Sequence, residues 1–205
     1  MKAWALVPVK RFDQGKSRLG ELLDGEARAG VARAMFDRVV GRVLVGLARR
    51  GEIEGVLVVT DGPEVADRAR AAGADAMISP GVGPGRKLGA IVDEGLATLA
   101  ARGADAGLVI MGDLPELGPD DVRDLARLLD DHDLVFAPDA AGTGTNALAL
   151  RLPPPMPTRF CGGESLADHL ADARALRLRV AMCERAGFRF DVDQPGDYER
   201  IRSAV

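Results

Sequence analysis

Gly107-Leu-Val-Ile-Met-Gly-Asp113-Leu-Pro115 constrains this chain more than any other segment. It is an unbroken apolar run that ends in a glycine and a carboxylate. A run without polar alternation reads as a strand buried on both faces, the kind found in sheets covered by helices on each side. Such a strand can present a charged side chain to a ligand only where it ends, and open α/β sheets bind ligands at the carboxyl edge. Asp113 is therefore placed at a binding rim. A turn-forming aspartate ahead of Leu114-Pro115 is the plainer reading of the same residue.

The remaining pattern repeats this alternation. Trp4-Ala-Leu-Val7 and Gly55-Val-Leu-Val-Val-Thr60 read as buried strands, and Asp61-Gly62-Pro63 is a turn that also opens a helix. Val31, Met35, Val39, Val43 and Leu47 share one helical face from Glu26 onward. Val65 to Ala72 is helical with Gly73 as its C′ residue, and Ala76-Met-Ile78 is a short strand. A helix carrying Ile91, Leu96 and Leu99 follows the glycine-rich loop Ser79–Lys87. Pro119–Leu129 and Glu164–Ala175 read as helices, Leu134–Ala137 and Asn146–Leu150 as strands. A late strand pair and a terminal helix after Pro195 complete the chain. Strands alternating with helices predict one Rossmann-like α/β domain over 1–205, its sheet mixed but mostly parallel, with helices on both faces.

Composition excludes several function classes. With 205 residues, 47% hydrophobic and 28% charged, the chain can bury a full core and reads as a soluble globular protein. Its net charge of −4 argues against a general nucleic-acid binder, though not against a small basic pocket. No stretch reaches membrane-spanning length, and the apolar start is too short for a signal peptide. Cys161 and Cys183 lack metal-ligand spacing and read as buried thiols in a reducing, cytoplasmic protein.

Several polar clusters sit where this fold binds ligands. Lys10, Arg11, Lys16 and Arg18 crowd the loop after the first strand, where a polyphosphate needs positive charge; a solvated basic turn is the alternative. The loop is not a Walker A sequence. Phe190-Asp191-Val192-Asp193-Gln194-Pro195 again delivers carboxylates at an expected strand end. Asp191 and Asp193 would face the same side of an extended segment, unless Asp193 caps the helix at Pro195. Carboxylates from two such ends suggest Mg²⁺ held over phosphates, because that cation usually takes only one or two protein carboxylates. Gly142-Thr-Gly-Thr145 can form an anion nest or an ordinary hairpin turn. Ser165 follows Gly162-Gly163-Glu164 at a helix N-terminus, suited to an anion or to simple capping. His132 reads as solvated, and His169 as packing, one turn beyond Ser165 and within reach of the same anion. No nucleophile–base pair supports covalent catalysis.

Taken together, Pro8-Val-Lys10, Lys16-Ser-Arg-Leu19, Met111-Gly-Asp-Leu-Pro115, Gly142-Thr-Gly-Thr145, Ser165 with His169, and Asp191-Val-Asp193-Gln-Pro195 resemble the 2-phospholactate guanylyltransferase family of deazaflavin coenzyme F-420 biosynthesis. The resemblance spans nearly the whole chain and implies a GT-A-like nucleotidyltransferase fold. It implies transfer of GMP from GTP to a small phosphorylated acid (2-phospho-L-lactate, phosphoenolpyruvate or 3-phosphoglycerate) with release of pyrophosphate. By position it implies Asp113, Asp191 and Asp193 around Mg²⁺, with Lys10, Lys16 and Arg18 at the phosphates. Thr145, Gly162 and Ser165 would hold the acceptor, and a homodimer is a candidate assembly. A cytidylyl- or guanylyltransferase acting on a molybdopterin-type cofactor, a sugar-nucleotide glycosyltransferase and a non-catalytic nucleotide-binding regulator remain the competing readings.

Overall fold

The buried strands find each other in an order that sequence separation does not announce. The computed structural model describes residues 1–79, 88–160, 164–192 and 194–201. Seven strands form one sheet: β1 (Ala3–Pro8), β2 (Gly55–Thr60), β3 (Asp75–Ile78), β4 (Ala106–Ile110), β5 (Leu134–Pro138), β6 (Thr145–Arg151) and β7 (Val180–Met182). Their order is β3-β2-β1-β4-β6-β5-β7. β3, β2, β1 and β4 run parallel, as do β5 and β7, whereas β6 lies antiparallel between β4 and β5. The expected mixed, mostly parallel sheet is the observed one.

Alternation along each strand divides the core in two. Ala3, Ala5 and Val7 of β1 face one side, packed with Val39 and Leu47, with Val65 and Ala69 of helix α3 (Pro63–Ala72), and with Val122 and Leu125 of helix α5 (Pro119–Arg127). Leu6 faces the other side with Ile91, Leu96 and Leu99 of helix α4 (Leu88–Ala101) and Leu166 and Ala173 of helix α6 (Ser165–Ala175). Apolar residues on both faces explain why the strands read as continuous runs. Gly73 ends α3 at φ +100°, the left-handed conformation a C′ glycine supplies without strain.

The long helix after residue 25 is not uniform. Helix α1 (Gly25–Phe36) passes into a π-helical stretch, Asp37–Leu44, before helix α2 (Val45–Arg49) resumes α geometry. The apolar spacing did not reveal this, because Val39, Val40, Val43 and Leu44, which are buried here, recur at intervals that an α-helix also places on one face. A second departure concerns the end of the chain. β7 has no late partner: residues 190–192 form no strand but link helix α7 (Ala186–Arg189) to helix α8 (Pro195–Ile201). Phe190 and Val192 alternate with Asp191 as strand residues would, yet they bury in a separate small core with Leu19, Val31, Met35 and Ile201. No helix among the described residues is long and apolar enough to cross a membrane.

One close approach fixes α4 against the segment before α6. Gly89 N–H donates to the Phe160 carbonyl at 3.1 Å, Thr158 Oγ1 donates to the Gly89 carbonyl at 3.1 Å, and Thr158 N–H donates to Asp93 Oδ1 at 2.9 Å. A Cβ on Gly89 would lie 2.6 Å from the Thr158 carbonyl oxygen, a backbone atom that cannot rotate away. Gly89→Ala is therefore predicted to cost about 1–3 kcal/mol, the range for overpacking. Thermal unfolding should then fall by roughly 2–10 °C; an unchanged midpoint would show that this junction yields freely.

Candidate active site

The rim is assembled by topology. Parallel strands β1, β2 and β4 end there, and because β6 runs the opposite way its first residues, Thr145 and Asn146, arrive at the same edge. Met111 N–H donates to the Asn146 carbonyl at 3.0 Å, which fixes β6 directly beside the turn carrying Asp113.

The basic loop reaches Asp113 through its own folding. Phe12 is buried and packs edge-on against Phe36, ring centroids 5.7 Å apart, with the Arg33 guanidinium 5.9 Å from the Phe12 ring. Leu19, fully buried, anchors the other end. Between them Lys16 adopts φ 53°, ψ 38°, a left-handed conformation that a non-glycine residue takes only when its surroundings require it. The consequence is an ion pair: Lys16 Nζ lies 2.6 Å from Asp113 Oδ2, with the lysine side chain 8% exposed and the aspartate 30%. Lys10 and Arg18 are exposed, and Arg11 is paired with Asp13 instead.

Asp191 arrives from the opposite end of the chain. Val192 N–H donates to the Asp113 carbonyl at 3.3 Å, and Asn146 Nδ2 donates both to the Phe188 carbonyl at 2.8 Å and to Asp191 Oδ1 at 3.3 Å. With Phe190 and Val192 turned into the small core, the residue between them points the other way, toward the rim. Sequence reasoning missed Asn146. Its only signal was an amide interrupting an otherwise apolar strand. Among the described residues Asp113 Oδ1 takes no hydrogen bond, and no group of three or more His, Cys, Asp or Glu forms a self-sufficient cage. Two carboxylates on neighbouring segments, with hard oxygen donors only, suit a divalent cation that completes its shell with phosphate oxygens. Asp193 lies outside the described residues, as do Gly162, Cys161 and positions 80–87.

Beside this acidic pair lies a buried hydroxyl pair. Ser165 Oγ is 3.2 Å from Thr145 Oγ1, and Thr145 Oγ1 is 3.3 Å from His169 Nδ1. Ser165 is the first residue of α6, so the helix N-terminus adds partial positive charge at that point. The α6 entry is tied to the glycine-threonine loop, since Leu166 N–H donates to the Thr143 carbonyl at 3.0 Å. His169 is fully buried between Phe136 and Phe160, ring centroids 5.3 and 4.9 Å away. It packs, as expected, but it also accepts from Arg159 N–H at Nε2, 2.8 Å. Burial lowers its pKa from 6.5 to about 4, opposed by the Ser165 carbonyl and by Asp172 and Asp168. His132 is half-buried on the Leu128 carbonyl, remote from the rim residues. Cys183 is buried, and burial pushes its thiol up, which makes it unreactive.

Comparison with known proteins bears on this arrangement. The model of the family described as "Guanylyl transferase CofC like" matches residues 3–202. A phosphoenolpyruvate guanylyltransferase of Rubrobacter xylanophilus is 38% identical over 205 residues, covering 100% of this chain and 95% of that protein. A 3-phospho-D-glycerate guanylyltransferase of Phenylobacterium zucineum is 35% identical, covering 95% and 87%. A 2-phospho-L-lactate guanylyltransferase of Methanothermobacter thermautotrophicus is 32% identical, covering 98% and 84%. Among solved structures, a nucleotidyl transferase from Methanothermobacter thermautotrophicus superposes with a TM-score of 0.64 at 19% identity, covering 99% of this chain and 97% of that one, a likeness of fold.

The depressed His169 pKa has a stability consequence with a definite sign. Between pH 4 and 6.5 the unfolded chain binds a proton at this residue that the folded chain does not, so stability rises with pH across that window. As pH falls from 6.5 toward 4, His169 should remove on the order of 3 kcal/mol of folding free energy. Urea unfolding of the wild type and of His169→Gln, measured across this range, should show a steeper decline for the wild type. Parallel declines would contradict a buried neutral imidazole.

Proposed function

The chain belongs to the CofC-like guanylyl transferase family of nucleotidyltransferase enzymes, and from that premise we propose that it transfers GMP from GTP to a small phosphorylated three-carbon acid, releasing pyrophosphate. The relatives carry phosphoenolpyruvate, 3-phospho-D-glycerate and 2-phospho-L-lactate in their names, and all three combine a phosphate with a carboxylate. Phosphoenolpyruvate is the first acceptor to test, and the deazaflavin coenzyme F-420 route is the proposed setting. The observation that carries this reading is the meeting of Lys16, Asp113 and Asp191 beside the Thr145–Ser165 hydroxyl pair. One side of the rim suits a cation-bound polyphosphate, and the other suits a second, smaller anion.

The roles follow from chemistry. Asp113 and Asp191 would hold the divalent ion, Mg²⁺ on this reading, with Asp193 as a further ligand. Lys16 occupies Asp113 Oδ2, and a carboxylate offers about four lone-pair sites, so Oδ1 stays open to the ion. When bound, the ion supplies charge neutralisation at the α-phosphate and at the departing oxygens. Lys16, Lys10 and Arg18 add positive charge for the pyrophosphate. Thr145, Ser165 and Gly162 orient the acceptor, whose phosphate oxygen attacks the α-phosphorus of GTP. That oxygen is already anionic at neutral pH, so no general base is required. Catalysis then consists of alignment and charge stabilisation.

A coupled pyrophosphate assay with GTP, Mg²⁺ and each of the three acids tests the reading. Turnover is expected with GTP and at least one acid. Asp113→Asn and Asp191→Asn should each lower kcat by about a hundredfold or more while the protein stays folded. Turnover with CTP but not GTP, or full activity in both variants, would contradict it.

A further inference from the structure

The hydrogen-bond pattern around His169 is over-determined in a way that packing alone does not require. A backbone N–H can only donate, so the bond from Arg159 N–H assigns the Nε2 lone pair to that contact. The ring is neutral, so its single proton resides on Nδ1, facing Thr145 Oγ1 and the carbonyl of Ser165 one turn earlier. That one hydrogen is shared between the Ser165 carbonyl and Thr145 Oγ1, and a protonated Nδ1 offers the Thr145 hydroxyl no lone pair to donate into. Thr145 and Ser165 own two hydroxyl hydrogens between them, and the 3.2 Å bond joining them consumes one. With Nδ1 closed to Thr145 as an acceptor, the second hydrogen finds no further acceptor among the described residues, which leaves it available to a ligand at the rim.

We propose that His169, held as the Nδ1–H tautomer, is a positioning residue that aims one hydroxyl hydrogen of the Thr145–Ser165 pair at the acceptor's anionic group; this rests on the assignment of that pair to the acceptor. The same ring anchors the 158–160 segment through Arg159 N–H. That segment is in turn fastened to the first turns of α4 by Gly89 and Asp93. One imidazole thus sets the acceptor site from its Nδ1 side and the neighbouring backbone from its Nε2 side.

The two functions are separable by amide substitution. Asparagine places an amide nitrogen near Nδ1 and loses the Nε2 acceptor, whereas glutamine carries an amide oxygen to the Nε2 position and loses the Nδ1 donor. Steady-state kinetics with GTP and phosphoenolpyruvate should show the acceptor KM raised about tenfold in His169→Gln. The KM for GTP should stay within about twofold, as for groups that do not touch that substrate. His169→Asn should restore the acceptor KM while lowering thermal stability. Equal rises in acceptor KM for both variants, or a rise in GTP KM alongside, would overturn the proposal and leave a packing role. A wild type that turns over no phosphorylated acid with GTP would instead overturn the site assignment itself. Independently of how either variant folds, long-range ¹H–¹⁵N correlation spectra of the wild type should report Nδ1 protonated and Nε2 bare between pH 6 and 8. The opposite tautomer would overturn the proposal.

Discussion

Lys16 and Asp113 are 97 residues apart in sequence and 2.6 Å apart in space, and the candidate site is organised around that contact. A half-buried carboxylate at the end of a buried strand needs a counter-charge, and a largely buried ammonium needs one more. Each charge is partly compensated by the other where solvent reaches poorly. The left-handed backbone at Lys16 is the local strain this pairing accepts. Its position is secured from both sides by apolar anchors, Phe12 and Leu19.

The small core of Leu19, Val31, Met35, Phe190, Val192 and Ile201 is the mechanical counterpart of the ion pair. It joins the loop carrying Lys16 to the segment carrying Asp191, and it does so outside the two large cores flanking the sheet. Asn146 completes the junction by donating to Phe188 and to Asp191 from the start of the antiparallel strand β6. The acidic side of the rim is therefore built from four distant stretches of chain, around Lys16, Asp113, Asn146 and Asp191. Non-directional burial brings them close, and a few directional bonds set their final orientation.

Much of this was legible in the sequence, for identifiable reasons. Continuous apolar runs announced the strands, since each is covered on both faces, and Gly73 and Pro63 marked helix ends through conformations few other residues share. Asp113 was visible at the end of such a run, Lys16 in the basic loop after the first strand, Thr145 in a glycine-threonine loop and Ser165 at an expected helix N-terminus. The insertion of β6 between β4 and β5 was not legible, because strand pairing is set by non-local contacts. The Phe190–Val192 segment misled because alternation reports which way side chains face, not what they face. Asn146 and the second role of His169 left almost no trace, since a single buried polar residue has meaning only through its partners.

The proposed transfer requires Asp113 and Asp191 to share one divalent ion with the nucleotide. The most direct test is Mn²⁺ titration by water-proton relaxation, in the presence of GTP, for the wild type, Asp113→Asn and Asp191→Asn. A single GTP-dependent site in the wild type, weakened about tenfold or more by each substitution, is the predicted result, in line with the loss of one charged ligand. Equal Mn²⁺ affinity in all three proteins would contradict it.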